Sequence, residues 1–153
     1  SEGFMVDGVM SGQIALPAGT IAEPFIDIDD IAEVAAACLL NPELEGQVIE
    51  VTGPELLTFE DCTRILSAEI GRPIHFQAIT VEQFTGALKS IGLDADYLWL
   101  MHELFAVVMD GRNSWVSDGV EKILGRPATS FAEYVAKTAA LGVWDLPSQR
   151  AAV

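Results

Sequence analysis

The sequence predicts an α/β fold in which a few short strands are interleaved with five to six helices. Half of the 153 residues are hydrophobic and a fifth are charged, a composition that supports one packed core. Apolar residues alternate with strand spacing in four short runs and recur with helical spacing between them. All four runs lie before residue 80 and the rest of the chain has helical patterns, an order typical of mixed α/β architecture.

The first elements are two short strands and a helix. Gln13–Pro17 and Pro24–Ile28 are β-compatible runs separated by a Gly/Thr turn. From Asp29, the expected N-cap, apolar residues follow at helical spacing until Asn41 and Pro42 end the pattern. The sequence thus predicts a helix of about three turns after the two strands.

Two further strands are predicted at Gln47–Thr52 and Ile74–Ile79. The first alternates polar and apolar residues and is closed by Gly53 and Pro54. Three or four strands are few for a free-standing sheet, and the apolar residues of Gln47–Thr52 require a neighbour. We therefore expect a sheet that is continued by strands outside this chain.

Capping boxes mark the starts of three more helices. Thr58, Thr80 and Ser130 each stand three residues before an acid or amide that can bond back to the helix start. A hydrophobic helix is expected over about Asp94–Asp110 and a short one over about Ser117–Leu124. Both Gly-Arg-Pro sequences supply a glycine suited to a helix end, followed by a proline that cannot continue it.

The composition excludes several classes of function. Eight basic and 23 acidic residues give a net charge of −15, which repels phosphate backbones and anionic membranes. Nucleic acid and membrane are therefore not expected partners. The longest near-apolar run, Tyr97–Met109, is shorter than the roughly 20 residues that a membrane span needs. The first residues lack a secretory signal, and Cys38 and Cys62 lack metal-ligand spacing, which predicts core thiols in a cytoplasmic protein.

A run of acidic residues raises the question of a metal site. Asp27, Asp29 and Asp30 are close enough in sequence to suggest a hard cation such as Mg²⁺. Helix capping explains them better, with Asp29 as the N-cap, Asp30 opposite the helix dipole and Asp27 at a strand end. No metal site is therefore predicted.

Four ordered blocks carry a family resemblance. They lie within about Ile14–Val143 and read PFIDIDDIAEVAAACL, EGQVIEVTGPELLTFEDCTRILSAEIGRPI, FTGALKSIGL and VEKILGRPATSFAEYV. The first two are similar to the NmrA-like family of atypical short-chain dehydrogenases/reductases, and the last two resemble its quinone-reductase-like members. Family chains are about twice this length, and the resemblance is to their C-terminal half.

The resemblance implies the C-terminal part of an NAD(P)-binding Rossmann-type fold. Residues 14–144 would form its substrate-binding half, residues 1–13 an N-terminal segment and residues 145–153 a tail. The implied activity is hydride transfer from NADPH or NADH to a quinone-like or carbonyl acceptor. The alternative is a non-catalytic redox sensor that binds a dinucleotide and a protein partner.

The resemblance also implies partners and a cofactor for the complete protein. The Gly-rich G-x-G-x-x-G loop that cradles pyrophosphate does not occur in this sequence, so we expect no NADP or NAD bound to this chain alone. The expected partners are a small-molecule acceptor, an N-terminal Rossmann half and, through the unpaired sheet edge, a second copy of the chain.

Acid–base candidates are few. Tyr134 and Lys137 invite comparison with the Tyr/Lys pair of ordinary short-chain dehydrogenases, but they are three residues apart rather than four and are expected to be neighbours on a helix surface. His75 lies in a predicted strand. His102 lies in an apolar helix, where a hydrogen-bonded core histidine is the expected role. No catalytic acid or base is assigned.

Aromatic residues are the best candidates for binding the acceptor. Phe4 and Met5 resemble the Phe-Met pair near the active site of the family, and the alternative is a disordered terminus. A second set of rings and thioethers suits a planar acceptor and comprises Tyr97, Trp99, Met101, Phe105, Met109 and Trp115. Helical spacing in this set also fits a core role, so both interpretations of Tyr97, Trp99, Phe105 and Trp115 stay open.

Overall fold

The α/β class is confirmed in a computed structural model of the chain, which describes residues 5–146. Within that range seven α-helices accompany one two-stranded sheet. In chain order the elements are α1 (Val6–Ser11), β1 (Gln13–Leu16), α2 (Ile28–Leu40), α3 (Phe59–Ile70), β2 (His75–Ala78), α4 (Val81–Ser90), α5 (Ala95–Glu103), α6 (Gly119–Leu124) and α7 (Phe131–Ala140). A 3₁₀ turn (Pro42–Leu44) follows α2, and a π-helix (Leu104–Val108) follows α5.

The sheet is a parallel pair at the centre of the core. β1 and β2 run in register from Gln13 opposite His75 to Leu16 opposite Ala78. Ile14 and Leu16 of β1 are buried, and α1, α3 and α4 pack around the pair. The core continues from this sheet into the buried faces of α5 and α7.

The three predicted capping boxes are confirmed. The hydroxyl of Thr58 accepts a hydrogen bond from the amide of Asp61 at 3.1 Å, and the carboxylate of Asp61 accepts one from the amide of Thr58 at 3.0 Å. The same reciprocal pair forms at Thr80 and at Ser130. Local sequence therefore fixes the starts of α3, α4 and α7.

Two of the four predicted strands do not form. At Pro24–Ile28 the prediction was wrong because α2 begins early: Asp27, not Asp29, is its N-cap, and the amide of Asp29 donates to Asp27 Oδ1 at 3.0 Å. Gln47–Thr52 makes no strand ladder within residues 5–146. Instead, the backbone around this segment is closely packed at Gly53 and Gly119.

Two glycines allow these segments to approach each other closely. A Cβ atom on Gly53 would lie 1.8 Å from the carbonyl oxygen of Phe25, and one on Gly119 would lie 1.9 Å from that of Glu50. The hydroxyl of Ser117 donates to the same Glu50 carbonyl at 2.8 Å. Any side chain at either glycine would force the backbones apart.

The predicted helix over Asp94–Asp110 is divided. α5 ends at Glu103 and the π-helix replaces its last turns, a local widening that is often found near functional sites. After this change Phe105 is buried against Phe84, with the ring centroids 5.1 Å apart in an edge-to-face arrangement. The helical pattern was thus predicted correctly, but not the change in its turn.

Three smaller predictions have mixed outcomes. His75 lies in a strand as predicted, and its side chain is exposed. His102 was predicted in the core and is exposed, because its neighbour Met101 occupies the buried side of α5. Cys62 is buried as predicted, whereas Cys38 is only partly buried.

The segment before β1 contains a helix that the sequence did not predict. Val9 of α1 is fully buried in the core. Arg72 donates to the carbonyl of Val9 at 2.7 Å and to that of Trp144 at 3.3 Å. One guanidinium therefore fastens α1 to the segment that follows α7.

Residues 5–146 contain neither a membrane-spanning helix nor a cluster of metal-binding side chains. None of their helices has the length and apolar character needed to cross a membrane. No group of three or more His, Cys, Asp or Glu side chains among them is placed to hold a metal ion.

Candidate functional site

Three phenylalanine rings meet where three helices begin. Phe25 stands two residues before Asp27, the N-cap of α2, and Phe59 and Phe131 are the first residues of α3 and α7. The ring centroid of Phe25 is 5.2 Å from that of Phe59 and 5.9 Å from that of Phe131. These distances are typical of directly interacting aromatic pairs.

Local sequence explains why these rings converge. In both α3 and α7 a hydroxyl residue caps the helix and phenylalanine follows at the first helical position. The capping box fixes the direction of the first turn, and α3 packs against α7, so both rings are brought to the same place. Gly53 lets the backbone carrying Phe25 approach closely enough to complete the cluster.

The rings enclose a small apolar cavity of about 80 Å³. Its lining comprises Met5, Ile14, Phe25, Phe59, Cys62, Thr63, Leu66 and Phe131. A more open cleft of about 310 Å³ lies beside it and shares Phe25 and Phe131 with it. We define the cavity and this cleft together as the Phe cavity.

Cys62 and Thr63 line the smaller cavity, and neither side chain is set up for acid–base chemistry. Burial raises the pKa of the Cys62 thiol to about 12, so the thiolate nucleophile is not available near neutral pH. The hydroxyl of Thr63 donates to the carbonyl of Glu60 at 2.9 Å, inside its own helix. The cavity is therefore suited to binding an apolar planar molecule rather than to attacking it.

Ionic contacts fix the polar edge of the cleft. Lys137 of α7 donates to Asp27 at 2.8 Å and to Asp29 at 2.6 Å. It therefore joins α7 to the start of α2, whereas the sequence predicted a simple surface pair of Lys137 with Tyr134. Burial alone would raise the pKa of Asp27, but hydrogen bonds from Lys137 and the Asp29 amide lower it below its ordinary value. The hydrogen bond to Asp27 raises the pKa of Lys137, so both groups stay charged near neutral pH.

A second buried carboxylate holds the loop that leads into α7. Asp30 is fully buried and accepts hydrogen bonds from the amide of Thr129 at 2.7 Å and from its hydroxyl at 3.2 Å. Arg126 lies 2.8 Å from the same carboxylate and 2.6 Å from Glu33. Asp27, Asp29 and Asp30 thus position the aromatic cluster through contacts within the protein, and no metal ion is needed to explain these carboxylates.

The candidate residues predicted from sequence do not share one site. Met5 lines the Phe cavity, and Phe4 lies outside the described residues. Phe105 is buried and Tyr97 packs partly buried against the core. Trp99 and Trp115 are exposed, and Trp115 lines a separate open cleft of about 690 Å³ between the segments around residues 48–50 and 115–122.

The rings of the Phe cavity were not singled out from the sequence. A usable signal was present, because Thr58-Phe59 and Ser130-Phe131 repeat the same pairing of cap and ring, and Phe25 precedes a third cap. Aromatic residues at helix starts form no periodic pattern in the sequence, unlike a stripe along a helix. Their rings nevertheless converge when the helices begin side by side.

The chain is similar in sequence to proteins that include a reductase. The chain is 39% identical over 132 residues to an NAD(P)H azoreductase of Xenophilus azovorans, covering 86% of this chain and 46% of the relative. It is 29% identical over 138 residues to the prestalk A differentiation protein A of Dictyostelium discoideum, covering 90% of this chain and 46% of that protein. No protein-family model matches the chain.

The fold of the chain is also similar to that of a solved structure. The structure superposes on an NADPH complex of an NADPH-dependent quinone oxidoreductase from Escherichia coli with a TM-score of 0.79 and 24% identity. The match covers 88% of this chain and 48% of that one. This likeness confirms the predicted mixed α/β fold class. The chain spans about half the length of the curated relatives that it matches.

Proposed function

We propose that this chain is the C-terminal, acceptor-binding part of an NmrA-like NAD(P)H-dependent reductase that transfers hydride to a small planar acceptor, quinone-like or carbonyl. The Phe cavity carries this proposal, because three converging rings and the Met5 thioether form an apolar surface suited to a flat molecule. The likeness to an azoreductase and to a quinone oxidoreductase supports a reductase over other ligand-binding proteins.

The helix starts around the Phe cavity do not suit the pyrophosphate of a dinucleotide. Helix N-termini bind phosphate through free amides and a positive dipole end. The three helix starts around the Phe cavity each carry acids in the first turn, namely Asp29 and Asp30 in α2, Glu60 and Asp61 in α3, and Glu133 in α7. These carboxylates would repel phosphate, so we place dinucleotide binding outside this chain.

The contribution of this chain is then to bind and orient the acceptor. Rings at fixed angles hold a planar molecule by dispersion and exclude water from one of its faces. Cys62 is too weak an acid to protonate an acceptor near neutral pH, and the Thr63 hydroxyl already donates within its own helix. The redox chemistry would come from the nicotinamide, with the protein supplying position.

An exposed apolar face gives the rest of the protein a place to pack. α2 packs against α6 and buries Asp30 and Val34, whereas its Ile28, Ile31 and Leu39 are exposed. Val48, in the segment that the sequence predicted as a strand, is 96% exposed. We propose that a nucleotide-binding Rossmann half covers this face and continues the predicted sheet.

The proposal is tested with two leucine variants of the complete encoded protein. Phe131→Leu removes a ring of the Phe cavity but keeps an apolar side chain, and Trp115→Leu does the same in the separate cleft. An aromatic contact is worth about 0.5–1.5 kcal/mol, so Phe131→Leu should raise the KM for a naphthoquinone about 2- to 12-fold. Trp115→Leu should leave it nearly unchanged.

The measurement is NADPH oxidation at saturating NADPH with a series of quinones and aromatic aldehydes. Turnover of about 1 per second or faster with at least one acceptor supports a reductase. The opposite pattern, in which Trp115→Leu raises KM and Phe131→Leu does not, would move the acceptor site to the cleft at Trp115.

A second candidate is a redox sensor without turnover. The relative named as a differentiation protein favours it, because that name describes development and not catalysis. Saturable NADPH binding by the complete protein, with no oxidation across the whole acceptor series, would select the sensor over the reductase.

A further inference from the structure

The smaller cavity, of about 80 Å³, has a mouth and a floor. Its mouth is formed by side chains that are only partly buried, namely Met5, Phe25, Phe59 and Phe131. Its floor is formed by residues that are at most 5% exposed, namely Ile14, Cys62, Thr63 and Leu66. The space between them therefore lies directly behind rings that reach the surface.

One helix builds most of this space, and its floor is uncharged. Side chains at positions i, i+3, i+4 and i+7 lie on one helix face, and in α3 these are Phe59, Cys62, Thr63 and Leu66. The hydroxyl of Thr63 donates within its own helix. Burial raises the pKa of the Cys62 thiol to about 12, so this side chain stays neutral and behaves as a small apolar group.

The volume of the smaller cavity limits what it can hold. An apolar cavity of about 150 Å³ binds one benzene molecule, so a space of about 80 Å³ has room for about three carbon atoms and not for a ring. Protein interiors keep few voids of this size, because the atoms around an empty space lose dispersion contacts.

The larger cleft supplies the neighbouring space for a ring. It measures about 310 Å³ and shares Phe25 and Phe131 with the smaller cavity. A planar molecule that lies in the cleft against these two rings therefore has the mouth of the smaller cavity beside it. A short substituent on its edge can enter that mouth.

We propose that the smaller cavity is a subsite for a short alkyl substituent of the planar acceptor, and that Cys62 is the specificity-determining residue that limits the length of this substituent. The inference rests on the proposed function of the Phe cavity. Cys62 has the smallest apolar side chain in the lining, so it leaves open a space that a larger residue at this position would fill. The alkyl group would replace the dispersion contacts that the empty space lacks.

The test measures how affinity depends on the length of one alkyl chain. The complete encoded protein is titrated, without NADPH, with benzaldehyde and with its 4-methyl, 4-ethyl, 4-propyl, 4-butyl and 4-pentyl derivatives, and each dissociation constant is measured by calorimetry. For the wild-type protein the dissociation constant should fall about fourfold for each carbon atom up to about propyl, as expected for a buried CH₂ group. It should not fall further for butyl and pentyl.

Two substitutions at Cys62 should move this limit in opposite directions. Cys62→Leu adds two non-hydrogen atoms to the floor, so the gain in affinity should stop near methyl. Cys62→Ala removes the sulfur atom, so the gain should extend to about butyl. Benzaldehyde itself, which carries no alkyl chain, should bind to the wild type and to both variants with similar affinity.

Matched controls use the other cysteine. Cys38 is a partly buried thiol of α2 and does not line the Phe cavity, so Cys38→Leu and Cys38→Ala should keep the wild-type limit. Thermal unfolding checks that each variant is folded, and if Cys62→Leu is not, Cys62→Ala decides the question. Affinity that keeps rising through pentyl in the wild type, affinity that ignores chain length, or the same limit in the wild type and folded Cys62→Ala would overturn the inference.

The design also separates this inference from the proposed function, because binding is measured without a reductant. A chain-length limit that responds to Cys62, in a protein that oxidises NADPH with no acceptor, would keep the subsite and remove the reductase assignment. NADPH-dependent turnover with a limit that does not respond to Cys62 would keep the reductase and remove the subsite.

Discussion

Lys137 is the residue whose removal best tests the architecture of the site. Lys137→Met keeps the aliphatic stem and removes the ammonium that donates to Asp27 at 2.8 Å and to Asp29 at 2.6 Å. The Asp27 side chain is 2% exposed, so the variant leaves a buried carboxylate whose remaining donor among residues 5–146 is the amide of Asp29. The start of α2 and its junction with α7 should be weakened together.

The expected loss in the free energy of unfolding follows from how deeply Lys137 and Asp27 are each buried. Breaking a fully buried ion pair costs about 3–5 kcal/mol. The Lys137 side chain is 46% exposed, so solvent screens part of the interaction and we expect a loss of about 1–3 kcal/mol. Lys122→Met is the matched control, because Lys122 and Asp118 are 70% and 63% exposed and their pair should be worth less than about 1 kcal/mol.

The assay is urea unfolding followed by tryptophan fluorescence over a range of pH. The folded-state pKa of Asp27 lies below its ordinary value of 3.8, so this group stabilises the fold above that pH. The contribution is lost as the pH falls from 3.8 through the folded-state pKa, and the difference between wild type and Lys137→Met should shrink with it. If Lys137→Met costs no more than Lys122→Met at pH 7, the ion pair does not hold the site.

Further variants and solution measurements test other features. Gly119→Ala should cost about 2 kcal/mol or more, because its Cβ would lie 1.9 Å from a carbonyl oxygen, whereas Gly86→Ala, with open space around it, should be neutral or stabilising; equal unfolding midpoints would contradict this. At pH 8 a thiol-specific disulfide reagent should label Cys38 and spare Cys62, whose pKa of about 12 keeps it protonated; fast labelling of both would show that Cys62 is accessible. Light scattering of the 153-residue chain at physiological salt should show association through the exposed face of α2; a mass that stays at 16.4 kDa over a tenfold concentration range would exclude it.

Helix starts were predictable from sequence because their signals are local. A hydroxyl residue and an acid or amide three positions later decide a cap within one turn, and Thr58, Thr80 and Ser130 formed the predicted boxes. The positions of β1 and β2 and the end of α2 near Asn41 also followed runs visible in the sequence, whereas the parallel pairing of the two strands was not predicted. The choice of Asp27 over Asp29 as the N-cap was not predicted, because both carboxylates stand just before the helical pattern in the sequence.

The candidate site depended on contacts that no sequence spacing expresses. Phe25, Phe59 and Phe131 are far apart in the chain, and they meet because α3 packs against α7 and because Gly53 admits a carbonyl at close range. The stripe from Tyr97 to Trp115 fitted both core and pocket. In the structure Phe105 lies in the core, Trp99 lies on the surface and Trp115 lines a separate cleft.

The parallel pairing of β1 with β2 has a consequence for how the chain acquires its fold. Both α2 and α3 lie between the two strands, so the sheet cannot close until that whole stretch has been made and ordered. Contacts between residues so distant in sequence carry a large loop-closure entropy and slow the folding rate. During synthesis β1 emerges before His75–Ala78, the strand with which it pairs among residues 5–146. The period in which unpaired β1 is open to aggregation therefore lasts at least until the ribosome has synthesised β2.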